Sequence, residues 1–318
     1  MDERYSQIIK RLNRAKDIAI YCHTNPDGDT LASSLALYGA LKAQGKNVGI
    51  FCDTPVPKKF SCLKGYENIE FPHKGSHELA VSVDCASIDR LGQCMKSFLS
   101  AKEQIAIDHH KTFARFAEIC LVDSDAAACA QIIYKLLKQM KAMDLSAAEL
   151  LFAGIVTDSG CFAYSSVTRE THEIACELLD YGFDGAQIIY DVFRSSDLNK
   201  FQLKNRILNK IEFFEDNQIA IITFMKSDFV ATGTDTSYTD GIISEVIAID
   251  AVKVAYALCE VGERNFKVSI RTKEKFVDAA SIASTVGGGG HAAAAGCRMN
   301  GYLEDIKEKL IKFAKDRL

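Results

Sequence analysis

A chain of 318 residues with 48% hydrophobic content can bury one large core or two. Its net charge of −4 and the lack of a long basic run exclude a protein that coats duplex DNA electrostatically, and no apolar stretch is long enough to span a bilayer. Eleven Cys with no Cys-x-x-Cys pair, behind a charged N-terminus that reads as an amphipathic helix through Arg14, point to reduced thiols in the cytoplasm.

In chain order, an apolar run at 18–22 leads through His23-Thr24-Asn25-Pro26-Asp27-Gly28-Asp29 into a helix predicted over 31–42, closed by Gly45. Strands are predicted at 48–52, 79–83, 104–107 and 119–122, then helices over 126–140, 147–156 and 168–179. The run 150–157 also reads as a buried strand that stops at Asp158. Alternation of this kind predicts a doubly wound, mostly parallel sheet over residues 1–185. Residues 186–208 read as a helical linker. Beyond it, hairpins at 211–214/219–224 and 252–261/266–271, a helix over 277–286, a glycine run, a short strand at 297–299 and a Lys-rich final helix predict a smaller α+β domain over 209–318.

Ligand sites in open α/β sheets lie off the carboxyl ends of the strands. Four apolar runs here end in acid or imidazole: at His23/Asp27/Asp29, at Asp84, at Asp108-His109-His110 and at Asp158. Each has a plainer reading taken singly. Asp27-Gly28 fits a turn with Thr30 as helix cap, Asp84 and Asp158 fit strand-end turns, and the His pair fits a surface. Together they predict one pocket of like charges that needs a cation. Carboxylates with a minority of imidazoles and no thiolate favour Mn²⁺ or a similar ion over a structural zinc cage. Cys22 and Cys161 are read as packing residues. Asp123 and Asp125 are read as caps of the helix over 126–140. Residues 287–296, Gly-Gly-Gly-Gly-His-Ala-Ala-Ala-Ala-Gly, offer backbone N–H groups to an anion, the alternative being a flexible linker. Arg271 is a candidate phosphate fork or a solvated surface residue.

These motifs resemble the DHH phosphoesterase superfamily over nearly the whole chain, and the run 287–296 resembles its associated DHHA1 domain. The two-domain length is similar to the nanoRNase / pAp phosphatase group. The resemblance implies two divalent ions, most readily Mn²⁺. One would be held by His23, Asp27 and Asp84, the other by Asp29, Asp84, His109 and Asp158, with Asp84 bridging. His110 would face the scissile phosphate and Asp108 would orient a ligating His. Arg271, Gly288, Gly289, Gly290 and His291 would bind substrate. Ala32 stands where the family often has Gly, and its methyl would narrow the approach to the loop. The implied reaction is hydrolysis of short single-stranded RNA or DNA oligonucleotides, or of 3′-phosphoadenosine 5′-phosphate (pAp), by a two-metal-activated water. A RecJ-like single-strand exonuclease, a linear or cyclic dinucleotide phosphodiesterase and a non-catalytic nucleotide-binding protein are the competing readings. No membrane partner is expected, and a homodimer is admitted.

Overall fold

The computed structural model describes residues 3–71, 75–194, 197–239, 241–273, 275–290 and 292–318. The chain divides into two units, Met1–Ser195 and Ser196–Leu318.

In the first unit α1 (Glu3–Arg14) precedes β1 (Asp17–Tyr21), α2 (Gly28–Ala43), β2 (Asn47–Phe51), β3 (Ile69–Glu70), β4 (Leu79–Val83), α3 (Met95–Ser100), β5 (Glu103–Asp108) and β6 (Ile119–Val122). Helices α4 (Cys129–Gln139), α5 (Leu145–Asp158), α6 (Arg169–Leu179) and α7 (Gly185–Ile189) follow. All six strands pair in parallel, in the order β3-β2-β1-β4-β5-β6. The chain winds outward from β1 in one direction and then from β4 in the other. The switch point therefore lies between β1 and β4, where such sheets open a crevice for ligands.

Strands buried on both faces read as continuous apolar runs. In β4 all five residues are buried. On one face of the sheet, Ile18, Ile20, Val81, Ile105 and Ile107 pack with residues of α2, α4, α5 and α6. On the other, Ala19, Tyr21 and Ala80 pack with Leu91, Phe98 and their neighbours. Helix α2 is apolar around most of its circumference and almost wholly buried, as a helix must be when it packs against both a sheet and a second helix. The second helix is α5, itself apolar through Leu150, Leu151, Phe152, Ile155 and Val156. The apolar run at 150–157 is therefore helical throughout, and Asp158 is the last residue of α5 rather than the end of a strand. A run buried on every side carries no periodicity to separate the two readings.

Three further expectations change. Asp123 and Asp125 do not cap α4, which starts later than expected, at Cys129; the Asp123 carboxylate instead accepts from the Asp125 amide at 3.3 Å. Ala32 is buried, and a Cβ built on Gly154 of α5 would lie 3.5 Å from its methyl. Ala32 therefore packs α2 against α5 and does not narrow the loop. The helical stretch 186–208 does not form a free connector: α7 and a π turn over Tyr190–Arg194 belong to the first unit. Helix α8 (Leu198–Leu208) belongs to the second, with Leu203 and Ile207 fully buried there.

The second unit continues with β7 (Glu212–Phe214), β8 (Ile219–Phe224), α9 (Lys226–Thr232), α10 (Ile242–Ile247), β9 (Val254–Gly262), β10 (Asn265–Thr272), α11 (Ala279–Ser284), β11 (Gly289–Gly290), β12 (Ala294–Asn300) and α12 (Leu303–Lys315). Its mixed sheet runs β11-β12-β10-β9-β8-β7, with β8 and β9 the parallel pair. Residues of α11 and α12 pack with Tyr256, Leu258, Val268 and Ile270 on one face. Residues of α8, α9 and α10 pack with Ala220, Ile222 and Ala255 on the other. The strand expected at 297–299 begins earlier, within the Ala tract: Ala294 and Ala295 open β12 and pair with Arg271 and Ile270.

Candidate metal centre

The first acidic loop leaves the carboxyl end of β1 and turns straight into α2. Asp27 is the N-cap: its Oδ1 accepts from the amides of Asp29 and Thr30, each at 3.1 Å. Thr30 is not the cap. Its hydroxyl donates to the Val83 carbonyl at 2.9 Å, tying the start of α2 to the end of β4. The other oxygen of Asp27 lies 3.4 Å from His23 Nε2. Burial pushes the Asp27 carboxyl up, but His23 and the two amides outweigh it and hold it below the usual carboxylate range.

Asp29, in the first turn of α2, is fully buried. Its oxygens accept from the Cys129 amide at 2.5 Å, the Ala130 amide at 3.0 Å and the Ser33 hydroxyl at 3.1 Å. It thus caps α4 from outside, where a negative charge complements the positive end of the helix. Burial, with Asp27 adding to it, still holds its carboxyl above the ordinary range.

Asp84 follows β4 with φ 59°, a left-handed backbone that Asp tolerates better than most residues. Its amide donates to the Ile107 carbonyl at 2.8 Å. Its carboxylate is 1% exposed, and its Oδ1 has no hydrogen-bond partner among the described residues. Burial, then Asp29, Asp27, Asp158 and Asp108, drive its carboxyl well above the ordinary value. A buried carboxylate with an orphaned oxygen is costly unless a cation or proton satisfies it.

His109 and His110 follow β5. His109 Nε2 lies 3.5 Å from Asp84 and 3.2 Å from Asp158, while its Nδ1 faces the Ala126 carbonyl at 3.1 Å. A proton on Nδ1 leaves the Nε2 lone pair aimed into the cluster. Burial pulls the His109 pKa down, but Asp29, Asp158, the Ala126 carbonyl and Asp108 raise it overall. Asp108 contacts the other imidazole: His110 Nδ1 sits 2.8 Å from Asp108 Oδ1. The expected orienting role of Asp108 thus falls on His110, and a backbone carbonyl orients His109.

Asp158 enters from the C-terminal end of α5, the negative end of a helix dipole and an unfavourable place for a carboxylate. Burial first, then Asp29, push its carboxyl up to about 7. Among the described residues three groups of side chains could hold an ion: His23/Asp27/Asp84, Asp29/His109/Asp158 and Asp84/His109/His110, with ligand atoms within 4.8 Å of one another in each. The orphaned Asp84 oxygen and the raised carboxyls fit a positively charged occupant.

Gly28 shows how tightly the centre is closed. A Cβ there would lie 2.4 Å from Thr157 Cγ2, so the glycine serves the approach of α5 rather than turn flexibility. Gly28→Ala is expected to cost about 1–3 kcal/mol of stability by overpacking. It should also displace Asp158 and weaken Mn²⁺ binding, and Thr157→Ala in the same chain should recover part of both losses. Thermal melts and calorimetric Mn²⁺ titration of the three proteins check this.

In the second unit Arg271 is half-buried on β10, with Nη1 donating to the Ile270 carbonyl at 3.0 Å. A Cβ on Gly288 would lie 2.3 Å from the Gly296 carbonyl oxygen, and one on Gly290 2.5 Å from that of Ala294. Those two glycines are required by the close approach of β12. Gly289 is exposed, with open space where a side chain would be. His291 lies outside the described residues. Sequence reading missed Arg90 and Asp53, which lie on loops at the carboxyl edge of the same sheet. Arg90 Nη2 is 2.9 Å from His23 Nδ1.

Carboxylates and imidazoles gathered at the switch point of a parallel sheet form a cluster that could hold metal ions. The chain belongs to the DHH family: that family's N-terminal domain matches residues 17–155, and the DHHA1 domain matches residues 218–318. It is 31% identical over 307 residues to the bifunctional oligoribonuclease and PAP phosphatase NrnA of Thermus thermophilus, covering 95% of this chain and 90% of that protein. The protein of that name from Bacillus subtilis is 24% identical, covering 94% of each. The crystal structure of an exopolyphosphatase-related protein from Bacteroides fragilis shares the fold, with a TM-score of 0.89 at 24% identity over 98% of this chain and 97% of that one.

Proposed function

We propose that this chain is a metal-dependent phosphoesterase that cleaves nucleotides from short oligonucleotides and dephosphorylates pAp. Asp84 carries the reading. It is a buried carboxylate shared between two groups of ligand-type side chains, with an oxygen that nothing among the described residues satisfies. The relatives named for these two activities match along nearly their whole length.

His23, Asp27 and Asp84 are assigned to one ion, and Asp29, Asp84, His109 and Asp158 to a second. Two divalent ions, preferentially Mn²⁺, would supply Lewis acidity and lower the pKa of a water. The chain's own groups then divide the work. Asp27 holds the loop by accepting hydrogen bonds from the Asp29 and Thr30 amides, and Asp29 ties it to α4 by accepting from the Cys129 and Ala130 amides. The Ala126 carbonyl fixes the His109 tautomer, as orienting partners of ligands do. His110, steadied by Asp108, points its free nitrogen toward the phosphoryl group and meets charge that develops there. Arg271, Gly288, Gly289, Gly290 and His291 are assigned to the substrate, with Gly289 the glycine free to approach it. Among the described residues no helix is long and apolar enough to cross a membrane. The eleven cysteines are all free, in keeping with a reducing cytoplasm.

A Mn²⁺-supplemented panel of pAp, RNA and DNA oligomers of increasing length, cyclic di-AMP and pyrophosphate tests the assignment. The chain is acidic overall and its sequence carries no aromatic-and-basic stripe of the kind that binds long single strands. Accordingly kcat/KM should be highest for pAp and for oligomers of a few nucleotides. A kcat/KM that climbs with length, or that peaks at cyclic di-AMP or pyrophosphate, would transfer the chain to another substrate class.

A further inference from the structure

Arg90 reaches the centre from a loop with a fixed base and an exposed tip. Its residues Ile88–Cys94 form a 3-10 turn broken at Gly92, whose φ of 54° and ψ of −127° are non-helical. A Cβ on Gly92 would lie 1.9 Å from Asp53 Oδ2, and that same oxygen accepts from the Gln93 amide at 3.1 Å. The Arg90 carbonyl accepts from the Thr24 amide at 2.7 Å, locking the turn to the first ligand loop. The backbone under Arg90 is therefore built into the site, while the residue itself is exposed.

The guanidinium contact contains a conflict of hydrogen-bond roles. His23 Nδ1 lies 2.9 Å from the Thr24 carbonyl oxygen and 2.9 Å from Arg90 Nη2. The carbonyl can only accept, and a guanidinium can only donate. One nitrogen cannot serve both at once. When His23 gives Nε2 to a cation, Nδ1 must carry the proton, which belongs with the Thr24 carbonyl. Arg90 then loses its acceptor. It is left as a free fork of donors beside His23, whose other nitrogen faces Asp27 at 3.4 Å and Asp84 at 3.8 Å, in a cluster rich in carboxylates that would repel an anionic phosphate.

We infer that Arg90 is a phosphate-binding residue whose availability is coupled to metal: it rests on His23 in the unloaded protein and takes a non-bridging phosphate oxygen once His23 binds an ion. This rests on the reading of the centre as a metal-dependent phosphoesterase. An exchange of this kind makes the phosphate site appear only where the chemistry can follow. Arg suits the role because its planar fork matches phosphate oxygens in a way that an ammonium group does not.

The test uses the full chain, wild type, Arg90→Ala and Arg90→Lys, with Mn²⁺ and 5′-AMP as probes in calorimetric titrations. In the Mn²⁺-loaded protein, Arg90→Ala should weaken 5′-AMP binding by about 10- to 100-fold, the range for a charged hydrogen bond. Mn²⁺ stoichiometry and affinity should stay within about twofold, and Arg90→Lys should recover part of the loss. Without metal, wild type and Arg90→Ala should bind 5′-AMP equally weakly. An unchanged 5′-AMP affinity in loaded Arg90→Ala overturns the inference, and so does a Mn²⁺ affinity that falls in step with it, because Arg90 would then serve only to position His23. If wild type hydrolyses the substrate panel while Arg90→Ala binds 5′-AMP normally, only this inference fails. If wild type takes up no Mn²⁺, the underlying reading fails and takes this inference with it.

Discussion

Asp84→Asn is expected to abolish hydrolysis while making the metal-free protein more stable. Asn keeps the size of the side chain and tolerates the φ of 59° at this position, so the backbone need not move. What it removes is a buried carboxyl that, without metal, must either hold a proton or carry a charge against Asp29, Asp27, Asp158 and Asp108. Losing the shared ligand should cost about 4 kcal/mol or more of transition-state stabilisation, roughly a thousandfold in kcat. Removing the like-charge repulsion should raise the melting temperature of the chelator-treated protein, at roughly 2–4 °C per kcal/mol for domains of this size. The large upward shift that Mn²⁺ gives the wild type should disappear. Melts with and without Mn²⁺, beside rate measurements on pAp, settle the matter. A variant that holds two ions and works at near-normal rate would show that Asp84 is not the bridge.

Metal-free protein should lose stability as pH rises, the reverse of ordinary acid denaturation. The Asp158 carboxyl moves from 3.8 to about 7 on folding. Between those values the folded chain keeps a proton that the unfolded chain has released. Stability conferred by this group is complete below about pH 4, declines by about 1.4 kcal/mol per pH unit per proton held, and levels off above about pH 7. Asp84 and Asp29 shift in the same direction. Asp27 and Asp228, held low, act only below the ordinary carboxylate range and outside this window. A bound divalent ion takes the place of those protons, so the stabilisation it gives should grow from pH 5 to pH 8. Melting temperatures of chelated and Mn²⁺-loaded protein at pH 5, 6, 7 and 8 test the sign. A metal-induced shift that stays constant across that range would mean the ion does not compete with these protons.

The candidate ligand positions were legible because of sheet geometry. In a parallel sheet, side chains at the carboxyl ends of the strands face one crevice, so His23, Asp84 and Asp108-His109-His110 declare themselves wherever apolar runs stop. Asp158 was found for a partly wrong reason: a helix buried on all sides looks like a buried strand. The partner of Asp108 could not be read, since two adjacent imidazoles differ only in side-chain direction. Gly288 and Gly290 carry the signature of an anion nest, yet close strand pairing requires the same residue type. Arg90 had no signal at all, because an exposed Arg on a loop looks the same whether it meets solvent or a buried ligand-type imidazole.

The way α5 closes on α2 also sets a schedule for synthesis. Ligand-type residues lie from position 23 to position 158, and Asp158 arrives only when α5 seats Thr157 over Gly28. A nascent chain that has delivered β1, β4 and β5 already carries most of the acids but has no helix to bring in the last one. Capture of the second ion, the one assigned to Asp29, Asp84, His109 and Asp158, should therefore wait for the docking of a late helix. Partially made polypeptides would then lack the second ion on which the proposed hydrolysis depends.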